Sequence, residues 1–491
     1  MDRPNRLRLT ALVAAAAILA TLAVHEGAVA DDVDALPASV AKPSLPAAPL
    51  APAHKPKPAG WAVPGLDDLD SSVSLDAMAQ LPLLTLGTDL ATVYSCDAEL
   101  YCRTPTKDRR CYQAEFPEVS WRFCAVDMRK RGLWIEQVAL TRKPGDQPID
   151  VIYDAGVMDL FVPYHSGDPR AYDMEYCYSD PVPNAQGTPV PETAGSCQQK
   201  LDSAWAGPNG LVEDFPSEIA SSVAIELRDR GLAHLCTRPS PFVDVVRRGS
   251  EMAVWAVFDP GNYDNIIEYT FRDDGSIGFR SGVTGFNLPA QQDVGHMHNT
   301  LWRVDMDLNG HPNDTAYLWR HVESGTTAED QDLLFNNGFE SFASWDAFRF
   351  STLVVKDGAT NANGNRIGYT LQPLRTGTAR HFGSDEAWTH MDFGVTRYRA
   401  GEPSMAGNDY ERPNLYLLQN GKGVSNKEPI ENSDLVLWHI SSAHHEPHDE
   451  DRSTLDVGTS QYKGITPVHW SGFDLVPHDL FDYNPLGGPT C

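Results

Sequence analysis

After Phe116 the chain is cut into short runs of alternating apolar and polar residues by Gly, Asn, Asp and Pro, and this punctuation limits the fold more than any other feature. The runs at 133–140, 150–153, 252–258, 300–307, 315–319 and 351–356 have the length and period of strands. Asn309-Gly310 and Asp357-Gly358 beside them read as turns. Strands this short and this closely spaced predict a mainly β protein, built as a large antiparallel sandwich. Helices are expected to be few, with 216–230 the best candidate, and no internal repeat is found. A chain of 491 residues can bury a large core, and length alone fits either one large β unit or several domains.

One stretch concentrates the reactive side chains. Gly261-Asn262-Tyr263-Asp264-Asn265 sets a tyrosine among polar residues. Two strand-like runs follow, 266–271 and 276–280, joined as a hairpin through Asp273-Asp274-Gly275. The stretch ends in His296-Met297-His298. Residues two apart in a strand share a face, so this pair sets two imidazoles side by side, as a mononuclear metal site requires, with a third ligand drawn from elsewhere. Tyrosine, hairpin and histidines are expected on one continuous piece of sheet. Core packing is the ordinary reading for any of the 17 tyrosines, and a structural or solvated imidazole for any of the 16 histidines; only their juxtaposition argues otherwise.

With its surroundings, this stretch resembles the copper- and topaquinone-dependent amine oxidases. That family has an Asn-Tyr-Asp/Glu core, then His-x-His, then a late histidine. Trp134-Ile135-Glu136, Val162-Pro163-Tyr164, Asp305-Met306-Asp307, Asp434-Leu435-Val436-Leu437-Trp438 and Gly472-Phe473 through Phe481-Asp482-Tyr483-Asn484-Pro485 follow in the family's order. The resemblance therefore runs from about Phe116 to the last residues of the chain. It implies the family's large antiparallel β-sandwich (the copper amine oxidase supersandwich) and oxidative deamination of primary amines to aldehyde, ammonia and hydrogen peroxide.

The resemblance also implies roles for the matching residues. Tyr263 would become topaquinone using bound copper and dioxygen, with Asn262 and Asp264 holding its ring. His296, His298 and His445 would bind Cu(II); in the tandem His444-His445 the family's spacing from Asp434 selects His445, and His444 is the alternative. Imidazole donors by themselves would also suit zinc or iron. The base that takes a proton from the carbon beside the amine nitrogen falls on Asp173, in Tyr172-Asp173-Met174-Glu175, with Asp168 and Asp180 as rivals. Tyr164 matches a tyrosine that hydrogen-bonds the quinone oxygen, and core packing is its plain reading. Asp305, Asp307 and Asp434, with the main-chain oxygens of Met306 and Leu435, match a second, non-catalytic site whose hard donors select Ca2+; an exposed acidic strand is the plain alternative. A homodimer is the implied assembly, and a Cys197–Cys236 disulfide is implied as well. The chain departs from the family twice: the glycine that follows the catalytic aspartate is missing, and Asp259 stands where the family has Thr or Ser.

The front of the chain reads differently. Residues 1–30 have arginines, an apolar run and a terminal Ala28-Val29-Ala30, the pattern of a signal peptide, which predicts a secreted or extracytoplasmic protein. Residues 31–60 form a Pro/Ala-rich linker, 61–113 a short cysteine-bearing N-terminal region with some helical pattern near 75–84, and 114–491 the catalytic β-sandwich domain. No later stretch looks transmembrane. The 8 cysteines, with no Cys-x-x-Cys pair, suit disulfides in an oxidising compartment, and the four from Cys96 to Cys124 are placed to staple the front region. A formal charge of −28 excludes nucleic acid as a natural partner and favours cationic substrates, although acidity also serves plain solubility. Two other functions remain to be separated from an oxidase: a sandwich that binds without catalysing, and a different three-histidine metalloenzyme with an unmodified tyrosine.

Overall fold

Each alternating run falls on a strand in the computed structural model, because period-2 patterning buries one face of a strand against the core and leaves the next residue to the other face. The structure describes residues 84–85, 109–127, 132–142, 146–167, 170–173, 210–213, 223–239, 242–258, 263–324, 327–346, 352–374, 387–398, 428–451, 454–456, 461–464 and 466–487.

The chain begins one edge of a first sheet with β1 (Leu84–Thr85), β2 (Arg109–Glu115), β3 (Ser120–Asp127), β4 (Leu133–Thr141), β5 (Ile149–Pro163) and β6 (Arg170–Tyr172). It then builds half of a second sheet with β7 (Gly210–Glu213), β8 (Val223–Pro239), β9 (Phe242–Phe258), β10 (Tyr263–Arg272) and β11 (Ile277–Gly285). Next come β12 (His296–Met306), β13 (Thr315–Ser324), β14 (Thr327–Leu334), β15 (Ser341–Ala343), β16 (Thr352–Thr360), β17 (Arg366–Pro373), β18 (Phe393–Arg397) and β19 (Leu435–His445). A small ribbon of β20 (Thr454–Asp456) and β21 (Gln461–Lys463) precedes β22 (Thr466–His478). The first sheet runs β1-β2-β3-β4-β5-β12-β19-β18-β15, with β6 on β5; the second runs β14-β13-β16-β17-β22-β11-β10-β9-β8-β7. Every pairing between these strands is antiparallel.

The two sheets meet face to face through aromatic rings. Trp302 of β12 makes edge contacts with Tyr269, Phe279 and Phe473 of the opposite sheet, and Phe123 stacks on Phe271 with centroids 4.0 Å apart. All six are buried, so this layer holds the sheets in register beneath the site.

Three sequence expectations are corrected. Tyr263 and the hairpin lie in the second sheet, whereas His296 and His298 lie in the first. The crossover is the segment 286–295, where Pro289 opens a 3-10 turn, Pro289–Gln291, and cannot continue a strand ladder. The segment expected to be helical is instead strand from Val223 onward, paired with β9 along its length, and 216–222 lies outside the described residues. Cross-strand pairing overrides the helix propensity of its Ala, Glu, Leu and Arg residues. Asp357-Gly358 makes a register shift inside β16 rather than a hairpin turn, because Asp357 Oδ1 accepts from Ala359 N at 2.7 Å and bends the strand locally; the reversal comes at 361–365. Asn309-Gly310, with φ of 58° and 86°, is the turn expected.

Strand β2 runs across the 113/114 boundary, and Cys111 bonds Cys124 directly opposite it on β3. Cys236 is disulfide-bonded, and Cys197 lies outside the described residues, as do residues 1–60 and the helical pattern near 75–84 apart from Leu84. No helix among the described residues is long and apolar enough to cross a membrane.

Candidate active site

The histidines converge because β12 and β19 are antiparallel neighbours whose register sets His296 directly opposite His445. Strand alternation puts His298 on the same face, with its ring centroid 4.9 Å from that of His296, and sends Met297 and His444 to the other face. His444 stacks there on His165 at 5.2 Å, away from the cluster. His296 and His445 are fully buried, His298 is 6% exposed, and one ligand atom from each lies within 4.8 Å of the others.

This donor set fits a metal ion. His296 Nδ1 lies 3.1 Å from the Val294 carbonyl and His445 Nε2 lies 2.6 Å from Asp451 Oδ2, so each ring donates outward and turns a lone pair inward. The inward atoms, His296 Nε2 and His445 Nδ1, are 3.1 Å apart, the separation of about 2.9–3.3 Å that two ~2.0 Å bonds to one ion produce. Burial holds the His296 imidazole down to about pKa 3, keeps His298 well below its ordinary value and lowers His445, so all three are neutral ligands at neutral pH. Neither ring nitrogen of His298 has a hydrogen-bond partner among the described residues. Buried and unbonded, these atoms carry a desolvation cost that an ion would offset.

Tyr263 reaches this cluster from the opposite sheet. Its hydroxyl donates to Asn287 Oδ1 at 2.5 Å and lies 3.1 Å from both His296 Nε2 and His445 Nδ1. Burial, with the nearby Tyr164 and Asp451, pushes the phenol's pKa far up. Asn287 Nδ2 in turn donates to Asp451 Oδ1 at 3.3 Å. Tyr164, on the strand edge that bridges to His296, stacks on that ring at 4.3 Å with planes 17° apart.

Asp173 is brought to the Tyr263 strand by β6. Its Oδ2 accepts from Asn265 Nδ2 at 3.0 Å, and Asn265, two residues from Tyr263, shares that residue's face. Burial raises the Asp173 carboxyl to about 6, and the Asn265 bond holds it from rising further. Asn262, Asp168, Asp180 and Asp259 lie outside the described residues.

At the other end of the β12/β19 pair, roughly 30 Å along the strands, Asp305, Asp307 and Asp434 bring carboxylate oxygens within 4.8 Å of one another. Met306 and Leu435 are opposite each other there. The plain reading of an exposed acidic strand does not hold, since Asp305 and Asp307 are buried. Burial raises all three carboxyls, Asp307 to about 9, with the neighbouring acids adding to the rise in Asp305 and Asp307. Arg303, fully buried, bonds Asp154 and also Asp305 Oδ2 at 2.9 Å, while Asp305 Oδ1 and Asp434 Oδ1 have no hydrogen-bond partner among the described residues.

Sequence reasoning missed Asn265, Asn287, Arg303 and Asp451. Asn265 had a usable signal, its two-residue spacing from Tyr263. Asn287 and Asp451 had none, because their partners come from other strands.

Residues 118–488 match the family described as copper amine oxidase, enzyme domain. A histamine oxidase of Arthrobacter globiformis is 26% identical over 389 residues, 72% of this chain and 54% of that protein. A primary amine oxidase of Klebsiella aerogenes is 26% identical over 388 residues, 69% of this chain and 48% of its own length. The chain thus spans about half the length of these curated relatives. In fold, it resembles a copper-containing benzylamine oxidase from Hansenula polymorpha, with a TM-score of 0.57 at 18% identity over 76% of this chain and 60% of that one. It also resembles a lysyl oxidase from Pichia pastoris, with a TM-score of 0.58 at 17% identity over 76% and 52% of the two chains.

Proposed function

Since this chain belongs to the copper amine oxidase family, we propose that it oxidises a primary amine, consuming one dioxygen and one water and releasing aldehyde, ammonia and hydrogen peroxide. The observation that carries this is the phenol oxygen of Tyr263, held 3.1 Å from two inward-facing imidazole nitrogens of a neutral three-histidine cluster. His296, His298 and His445 would hold the copper, and Tyr263 would be the precursor of topaquinone. When bound, copper with dioxygen supplies the oxidation of the tyrosine ring and the final acceptor for electrons, and the quinone supplies the electron sink for amine oxidation.

The protein's own groups do the rest. Asp173, ionised above about pH 6, takes the proton from the carbon beside the amine nitrogen. Asn265 holds one carboxylate oxygen and leaves the other for that proton. Tyr164 stacks on His296 near the Tyr263 phenol; it and Asn262 are assigned an orienting role through the family's motif.

Further features extend the reading. Asp305, Asp307 and Asp434 with the carbonyls of Met306 and Leu435 would hold Ca2+, since two orphaned carboxylate oxygens point to a hard cation. Export to an oxidising compartment fits the Cys111–Cys124 bond. A homodimer fits the β8–β9 ribbon, which leaves Leu232, Leu235 and Val246 exposed.

The test is the visible spectrum of copper-loaded, aerated protein before and after phenylhydrazine, with Tyr263→Phe as control and amine-dependent peroxide release measured alongside. A quinone band that shifts with hydrazine and is absent in the variant is expected. Bound copper without such a band would sink the oxidase reading in favour of a binding protein or another metalloenzyme.

A further inference from the structure

The hydroxyl of Tyr263 lies 2.5 Å from Asn287 Oδ1 and 3.1 Å each from His296 Nε2 and His445 Nδ1, with the Thr466 hydroxyl also beside it. Which of them takes its proton decides where the lone pairs of the phenol oxygen point. Asn287 is 1% exposed and sits on the crossover between the sheets, just before the Pro289–Gln291 turn. Its amide has a fixed sense. Nδ2 faces Asp451 Oδ1 at 3.3 Å, an oxygen that also accepts from the backbone N–H of His448, so the amide offers its own oxygen to Tyr263. Asp451 is 1% exposed and is itself fixed by the His445 ring at 2.6 Å and by the backbone N–H of His448 at 2.8 Å.

The bonds therefore converge on Asp451 from two sides. Tyr263 donates to Asn287, Asn287 donates to Asp451, and His445 donates to Asp451 from its far nitrogen while its near nitrogen faces Tyr263. One carboxylate thus sets the tautomer of a metal ligand directly and, through Asn287, the direction of the tyrosine hydroxyl.

We propose that Asn287 is a positioning residue: by taking the Tyr263 proton it turns the phenol oxygen's lone pairs toward the ion held by His296, His298 and His445. This rests on the reading of the histidine cluster as a metal site. The role belongs to the crossover segment that seats Asn287 between the two sheets.

The test uses Co(II), added anaerobically to the full chain, because its visible bands report the groups around the ion and do not depend on quinone formation. Tyr263→Phe should shift those bands from wild type, and Asn287→Leu should shift them the same way. If leucine prevents folding, Asn287→Ser, too short to bridge both partners, takes its place. In aerated copper protein the quinone band should grow at least tenfold more slowly in Asn287→Leu at unchanged copper content. Wild-type bands in Asn287→Leu or unchanged bands in Tyr263→Phe would each overturn the proposal. A wild type that grows no quinone would instead overturn the oxidase reading, and the Co(II) comparison would still decide the role of Asn287.

Discussion

Replacing Asn265 by leucine removes the one side-chain donor among the described residues that stabilises ionised Asp173 and leaves the burial that opposes it. Both residues are buried, and leucine repeats the branching of asparagine without its polar atoms, so the change acts chiefly through the missing bond. A hydrogen bond to a charged group contributes about 1.5–3 kcal/mol, and one pKa unit is about 1.4 kcal/mol. The carboxyl, at about 6 in the native site, should therefore rise by roughly one to two units. The sign follows from the chemistry. A base works only when ionised, so activity climbs as pH rises through its pKa, and raising the pKa moves that climb to higher pH. At pH 7 the ionised fraction would fall about fourfold for a rise of ~1.5 units, while the high-pH plateau stays near wild type. The assay is kcat/KM by peroxide release from pH 5 to 10 with one amine for both proteins, so that the amine's own ionisation cancels. An ascending limb that stays near pH 6, or moves to lower pH, would refute Asn265 as the partner of an Asp173 base.

Asp173→Asn should lower kcat by about 10²–10⁴-fold at every pH, with the quinone still titrating with phenylhydrazine, which stopped-flow and hydrazine counts will read. His298→Ala should weaken copper binding by more than the ~10–100-fold typical of losing an outer-shell partner, measured by competition with a chelator. Buried acids raised above their unfolded values, Asp307 to about 9 among them, contribute stability below the unfolded carboxylate range that is lost as pH rises through the folded pKa. Metal-free protein should therefore melt lower at pH 8 than at pH 5, and millimolar Ca2+ should raise Tm more at pH 8; equal Ca2+ effects at both would argue against this site. Gly472→Ala should cost at least ~2 kcal/mol in urea unfolding, since its new Cβ would stand 2.0 Å from the Phe279 carbonyl oxygen at a φ of +138°.

The sequence by itself determined the strands, the hairpin after Tyr263 and the shared face of His296 and His298, because these depend on a two-residue period and on local turn chemistry. The family resemblance named His445 and the three acids, and the register of β12 against β19 is what brings each set together. What the sequence misplaced was the partnership. Tyr263 and the histidines are separated by a hairpin, whose proximity in sequence suggests one sheet, but the ladder ends at Gly285 and the crossover that follows sets them face to face across the core. Only the tertiary structure could decide that, since the identity of the sheet a strand joins depends on long-range pairing and not on the strand's own residues. The same reason hides Asn287 and Asp451. Each is an ordinary polar residue in its own segment, and becomes part of the site only where the register of β12 against β19 brings His445 beside His296, and the crossover lowers an amide between them and the tyrosine.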